Sequence, residues 1–210
     1  LTSWYKKNKL KPKDTIQFSL VGNKYKLIVN NETKNEVSSK QVLDLSNLST
    51  QAKGDIVEDR IKEFLLLHGQ GLLSVYKPVS DTEGIDLIVV RNGRFHPIFL
   101  QVKGRYTLHQ GRSLILSVKV KTFTPHANYY VIGAYFDPNT LEVDSNLLFI
   151  PSKDLVKNAV KVSSKNGEWY RIVSSIGDKS SGKWTEYLIK KEDLATKLIE
   201  KFEEMDKYIK

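Results

Sequence analysis

The most restrictive feature of this chain is the run Glu83-Gly-Ile-Asp-Leu-Ile-Val-Val90, in which a carboxylate, Asp86, opens a strand that is otherwise apolar. An ionised carboxylate is tolerated there only at the strand end, in a pair, or on a bound cation, because an uncompensated buried charge is strongly destabilising. Asn92-Gly93 supplies a hairpin turn that folds the next strand, Phe95 to Lys103, back beside it. On that strand Gln101 and Lys103 stand two residues apart, so both point to one face while Val102 points to the other. A strand that leans toward burial and turns an amide and an amine to the same side invites a partner. Asp86 is that partner if the two strands are in register.

The rest of the chain supplies a frame for this unit. Val57, Ile61, Phe64, Leu65 and His68 keep helical spacing between a Ser49 or Thr50 cap and the stop at Gly69. Strands are expected at Leu72 to Val79, Ile85 to Val90, Phe95 to Lys103, Leu114 to Val120, Tyr129 to Phe136 and Asn146 to Ile150. The Tyr129 strand is apolar almost throughout, as a central strand covered on both faces must be. A short helix, Lys153 to Ala159, precedes a second hairpin around Asn166-Gly167 and a strand from Trp184 to Ile189. Leu194, Leu198, Phe202, Met205 and Ile209 mark a closing amphipathic helix. Ahead of all this, Thr15 to Leu20 and Lys24 to Val29 read as a leading hairpin, followed by a polar stretch from Asn30 to Lys40. The expected organisation is a basic appendage over residues 1–47 and a main α/β domain over 48–210, with a mixed central sheet flanked by helices.

Composition narrows the chemistry. The chain has no cysteine, which excludes disulfides, thiolate zinc sites and cysteine nucleophiles and fits a reducing cytoplasm. Its four histidines show no HExxH or paired spacing, so any metal must be held by oxygens. A net charge of +9 favours a polyanionic partner such as nucleic acid, although a lysine-rich surface would read the same way. No apolar run approaches the roughly 20 residues that span a bilayer, and no charged-then-apolar leader is visible.

In order and spacing, Gly54-Asp-Ile-Val-Glu58, Gly84-Ile-Asp86 and Gln101-Val-Lys103-Gly104 resemble the three elements of the PD-(D/E)XK nuclease superfamily: a helix acid, a central Asp, and an acid-x-Lys on the strand after a hairpin. Phe149-Ile-Pro151-Ser152 is similar to a segment that closes these cores, so the likeness runs over about residues 49–151. Gln101 stands where the common member has Glu or Asp, which matches a Gln-x-Lys subgroup resembling Mrr-type and Holliday-junction-like nucleases.

The resemblance implies a restriction-endonuclease-like core and a DNA endonuclease dependent on Mg2+ or Mn2+, of a restriction, repair or mobile-element kind. It makes Asp86 the main metal ligand, Gln101 a side-chain oxygen donor, Glu58 a direct or water-mediated ligand, and the Val102 carbonyl a further one. Lys103 would orient the attacking water or stabilise phosphate charge. Arg105, Arg112, Lys119 and Lys121, which flank the last element, are the expected phosphate contacts, while Asp81 and Glu83, beside Asp86, read first as loop charges, with help to a second metal as the alternative. Taken singly each residue has an ordinary reading, Glu58 as a solvated helix face and Lys103 as a strand-end lysine. Two other functions stay open: a cleavage-incompetent module that binds DNA or a protein, for which neutral Gln101 speaks, and an RNA-processing nuclease. Double-stranded DNA is the expected partner, no membrane is involved, and a homodimer is compatible with the pattern. Leu10 to Ile16 also resembles the Leu-x-x-Gly-Asp-x-Ile element of swapped-hairpin DNA-binding domains, with Lys13 in place of the glycine.

Overall fold

A computed structural model of the chain describes residues 15–21, 24–30, 45–80, 83–177 and 181–208. The chain divides into two compact units, Leu1–Gln41 and Val42–Lys210. In the first, β1 (Thr15–Val21) and β2 (Lys24–Asn30) pair antiparallel, with Val21 opposite Lys24. The turn residues Gly22 and Asn23, the basic stretch before Thr15, and the polar stretch after Asn30 lie outside the described residues.

The second unit opens with α1 (Thr50–His68). The Ser49 side-chain oxygen accepts the Ala52 N–H at 3.1 Å, as an N-cap does, and Val57, Ile61 and Leu65 form the buried stripe. The chain continues through β3 (Leu73–Tyr76), β4 (Leu87–Arg91), β5 (Ile98–Arg105), β6 (Ser113–Lys119), β7 (Tyr129–Asp137), β8 (Glu142–Val143), β9 (Asn146–Pro151), α2 (Ser152–Asn158), β10 (Val160–Ser164), β11 (Gly167–Ser175), β12 (Leu188–Lys190) and α3 (Leu194–Asp206). The central sheet runs β12-β9-β7-β5-β4-β3, with β8 added beside β7. It is mixed: β5 and β7 are parallel, whereas β3–β4, β4–β5, β7–β9 and β9–β12 are antiparallel.

Each face of this sheet meets a different layer. Leu87, Val89, Ile98, Leu100 and Val102 join Val57, Ile61 and Leu65 of α1 and Leu194, Leu198 and Phe202 of α3 in one core. On the other side Tyr129, Val131, Leu148 and Ile150 meet Leu114, Leu116, Val118, Tyr170 and Ile172 of a separate sheet of order β10-β11-β6. The unit is therefore helix, central sheet and small sheet in layers, and β7, sandwiched between both cores, is apolar on both faces for that reason.

Three expectations need adjusting. The Asn92-Gly93 turn does form, with Gly93 at φ +79° and the Arg94 N–H on Arg91 O at 2.9 Å. The ladder, however, begins only at Val89 and Ile98, because Pro97 has no N–H to offer it. The strand expected over Trp184 to Ile189 is reduced to Leu188–Lys190, its first half being a 3-10 turn beside the buried Trp184. The strand expected over Leu72 to Val79 is confined to Leu73–Tyr76, which leaves Lys77 and Pro78 as loop. The closing helix runs to Asp206, and Ile209 lies outside the described residues.

Candidate active site

The site begins where α1 crosses β5. A Cβ at Gly104 would lie 2.6 Å from Val57 Cγ2 and 2.9 Å from Val57 Cβ, so only glycine lets the helix and strand come this close. That contact brings Glu58, the residue after Val57, to the edge of β5. The Tyr106 hydroxyl donates to Lys53 O at 2.9 Å and ties the first turn of α1 to the chain beyond β5. Glu58 Oε2 lies 3.2 Å from Lys77 Nζ, which also reaches Asp59 Oδ1 at 2.9 Å. Burial pulls the Lys77 pKa down, but hydrogen bonds to Asp59 and Glu58 and their charges outweigh it and leave it above the ordinary lysine value. Lys77 lines the cleft although the sequence pattern gave no reason to single it out: it is a lone lysine in the loop just after a short strand.

Asp86 stands just before β4 and completes the β4–β5 pairing with its side chain. Its own N–H donates to Leu100 O at 2.9 Å, and its Oδ2 accepts the Val102 N–H at 2.6 Å. This short, charge-assisted bond fixes the carboxylate. Along β5, Ile98, Leu100 and Val102 enter the helix-side core, so Gln101 and Lys103 alternate to the opposite face, as the spacing predicts.

Gln101 is 5% exposed, and its side-chain oxygen has no hydrogen-bond partner among the described residues. Its amide nitrogen sits where any side chain at Gly84 would go: a Cβ there would lie 2.4 Å away, and Gly84 has φ +71°. Beneath the same segment the buried Tyr129 hydroxyl donates to Gly84 O at 2.8 Å. Tyr129, expected only to fill the core, thus pins the backbone leading into Asp86. The sequence held no signal for this role, because a tyrosine on an apolar strand is ordinary core.

Glu58, Asp86, Gln101, Val102 and Lys103 line one open cleft of about 1610 Å³. Among the described residues Lys103 makes no ion pair. Arg105 also lines the cleft, but its guanidinium is partly committed: Nε donates to Ile115 O at 2.8 Å and burial lowers its pKa, leaving it cationic all the same. Of the other expected phosphate contacts, Lys119 lines the cleft. Arg112 and Lys121 do not, and Arg112 is paired with Asp144 instead. Glu83 is exposed and outside the lining, and Asp81 lies outside the described residues. The far wall is the small sheet, from which Val162, Ser164, Trp169 and Arg171 face the cleft.

The cleft is lined by three carboxylates, Asp55, Glu58 and Asp86, and by an amide and backbone carbonyls, oxygen donors of the kind a hard divalent cation takes. The orphaned Gln101 oxygen fits that use, since a buried acceptor left without a partner costs about 1–3 kcal/mol. Among the described residues no three His, Cys, Asp or Glu come together as a metal-holding group, so an ion on Asp86, Glu58 and Gln101 would meet two carboxylate charges from them. No helix among the described residues is long and apolar enough to cross a membrane.

No family model matches the chain, and no curated protein matches it. Among solved structures, the bacterial homing endonuclease I-Ssp6803I is similar over 76% of this chain and 98% of its own, with a TM-score of 0.48 and 15% identity.

Proposed function

We propose that the chain is a divalent-metal-dependent endonuclease that hydrolyses DNA phosphodiester bonds in this cleft, with a PD-(D/E)XK-type site. The observation that carries the reading is that buried Gln101, whose side-chain oxygen has no hydrogen-bond partner among the described residues, lines the same cleft as Asp86, Glu58 and Lys103. The net charge of +9 supports a polyanionic substrate.

In this reading Asp86, Gln101, Glu58 and the Val102 carbonyl hold Mg2+ or Mn2+, which when bound polarises a phosphoryl oxygen and acidifies water. Asp86 is held in its donor orientation by the Val102 N–H, and Gln101 by the Gly84 backbone against which it packs. Lys103 brings a positive charge to the scissile phosphate or orients the attacking water. Glu58 is paired with Lys77 through Oε2, so Lys77 competes with the ion for the Glu58 charge while Oε1 is the oxygen that would turn to the metal. Lys119 and Arg105 line the path of the phosphate backbone.

Neutral Gln101 and the pairing of Glu58 with Lys77 also favour a second reading, a scaffold that binds DNA without cutting it. A cleavage panel separates the two: duplex, branched and single-stranded DNA, and RNA, each with Mg2+, Mn2+ or EDTA. Metal-dependent cutting of a DNA form is expected. Cutting of RNA alone moves the substrate class. Silence on every substrate, together with tight DNA binding, replaces the enzyme with the scaffold.

A further inference from the structure

The small sheet shows one face to its core and one to the cleft. Tyr170 pairs with Val118, Ile172 with Leu116 and Ser174 with Leu114, and all six are buried. The alternate positions therefore face outward: Trp169 sits between Lys119 on one side and Val162 on the other, and Arg171 between Ser117 and Val160. This outward face carries Lys119 and Arg171 and no acidic residue, since Glu168 pairs with Ser163 on the other register. Among the described residues neither cation makes an ion pair. Trp169 is half-buried, its indole N–H on Ser164 Oγ at 3.2 Å, which fixes the ring.

The face is also joined to the catalytic strand. Arg105, two residues past Lys103 on β5, donates to Ile115 O of β6, so the small sheet is held at a set position relative to Lys103. Lys119, Trp169 and Arg171 line the same cleft as Asp86 and Gln101. A polyanion with a phosphate at Lys103 therefore has this face before it across the cleft.

We infer that the outward face of the β10-β11-β6 sheet is a binding surface for the sugar-phosphate backbone of the DNA flanking the scissile bond. Lys119 and Arg171 neutralise phosphates there, and Trp169 stacks against a sugar or base between them. Cations on two neighbouring strands that flank a fixed aromatic form an electrostatic and stacking platform for nucleic acid. This assignment rests on the nuclease reading only for the direction in which the strand enters.

The test reads binding in EDTA, so no cleavage is needed. Full-length chain is titrated against a labelled DNA duplex over a salt series, comparing wild type, Trp169→Ala, the pair Lys119→Gln/Arg171→Gln, and a control pair Lys197→Gln/Lys201→Gln on α3. Each lost phosphate contact lowers the slope of log K against log salt by about 0.9. The Lys119/Arg171 pair should therefore lose close to two such units and bind about 10-fold more weakly, while the control pair keeps the wild-type slope. Trp169→Ala should weaken binding by about 10-fold with the slope retained, the signature of lost stacking. Unchanged thermal melting of the three variants shows that the sheet persists. Wild-type slope and affinity in the Lys119/Arg171 pair, or an equal loss in the control pair, overturns the assignment. If wild type binds through this face and cuts nothing, the surface stands and the nuclease falls; if it cuts while the pair binds normally, the reverse holds.

Discussion

The two walls of the cleft hold their charges in opposite ways. On the wall built from α1, β4 and β5, the carboxylates are engaged with a lysine or with the backbone: Glu58 and Asp59 share Lys77, and Asp86 holds the Val102 N–H, with Lys103 set beside them on β5. On the wall built from β6 and β11, Lys119 and Arg171 are exposed and make no ion pair with a described residue. Engaged charges fix geometry, which catalysis needs, because reacting groups must already be in place when charge develops. Exposed cations fix little but lend affinity through counterion release. One cleft thus divides positioning from attraction between its two sides.

The largest effects should come from breaking the first wall. Lys103→Met, which keeps bulk and removes charge, should lower single-turnover cleavage by about 100-fold or more, the scale of losing one electrostatic stabiliser, with DNA affinity in EDTA barely changed. Asp86→Asn should do the same. Equal losses in affinity and rate would erase the distinction between the walls.

Gly104→Val tests how the first wall is assembled. The added side chain would drive Val57 away from β5, and overpacking of this kind costs about 1–3 kcal/mol, to be read as a lower urea midpoint. Cleavage should fall further than stability explains, since Glu58 moves with the helix.

Gln101 sharpens the comparison in both directions. Gln101→Met removes a buried acceptor that has no partner among the described residues, so it should stabilise the fold by about 1 kcal/mol, or about 2–4 °C in Tm, while cleavage is lost. Gln101→Glu adds a negative ligand and should tighten Mn2+ binding, measured by calorimetry, and keep or raise activity. Stability that drops in Gln101→Met would mean the oxygen is already satisfied.

The smallest effect belongs to Lys77→Met. Lys77 and Asp59 are exposed and Glu58 is half-buried, so the pairing contributes about 1 kcal/mol and Tm should move little, but the competing cation at Glu58 is gone and Mn2+ affinity should rise. The raised Lys77 pKa sets the sign with pH. The pair's contribution is complete below about 10.5 and disappears as pH climbs through the higher folded value, so wild type and variant should converge at alkaline pH.

The legible parts of this molecule were those in which one local pattern decides the outcome. The 3.6-residue stripe of Val57, Ile61 and Leu65 marked α1, and the two-residue alternation put Gln101 and Lys103 on one face. What the sequence could not show were contacts set by tertiary packing. Lys77 reaches Glu58 from the loop where β3 has ended, and Tyr129 holds Gly84, two residues before Asp86, because β7 pairs with β5. The small sheet was hidden for the same reason: β6 reads as one more apolar strand, and only its pairing with β11 turns Trp169, Arg171 and Lys119 toward the cleft. Arg112 shows the converse, a cation near the motif in sequence that folds away to Asp144.

The central claim, that Gln101 and Asp86 hold a divalent ion, is tested most directly by anomalous diffraction from crystals soaked in Mn2+. The account predicts a single strong peak within coordination distance of Asp86 and the Gln101 side-chain oxygen, retained in Lys103→Met and lost in Asp86→Asn. A peak elsewhere in the cleft, or none beside Gln101 in wild type at saturating Mn2+, would contradict it.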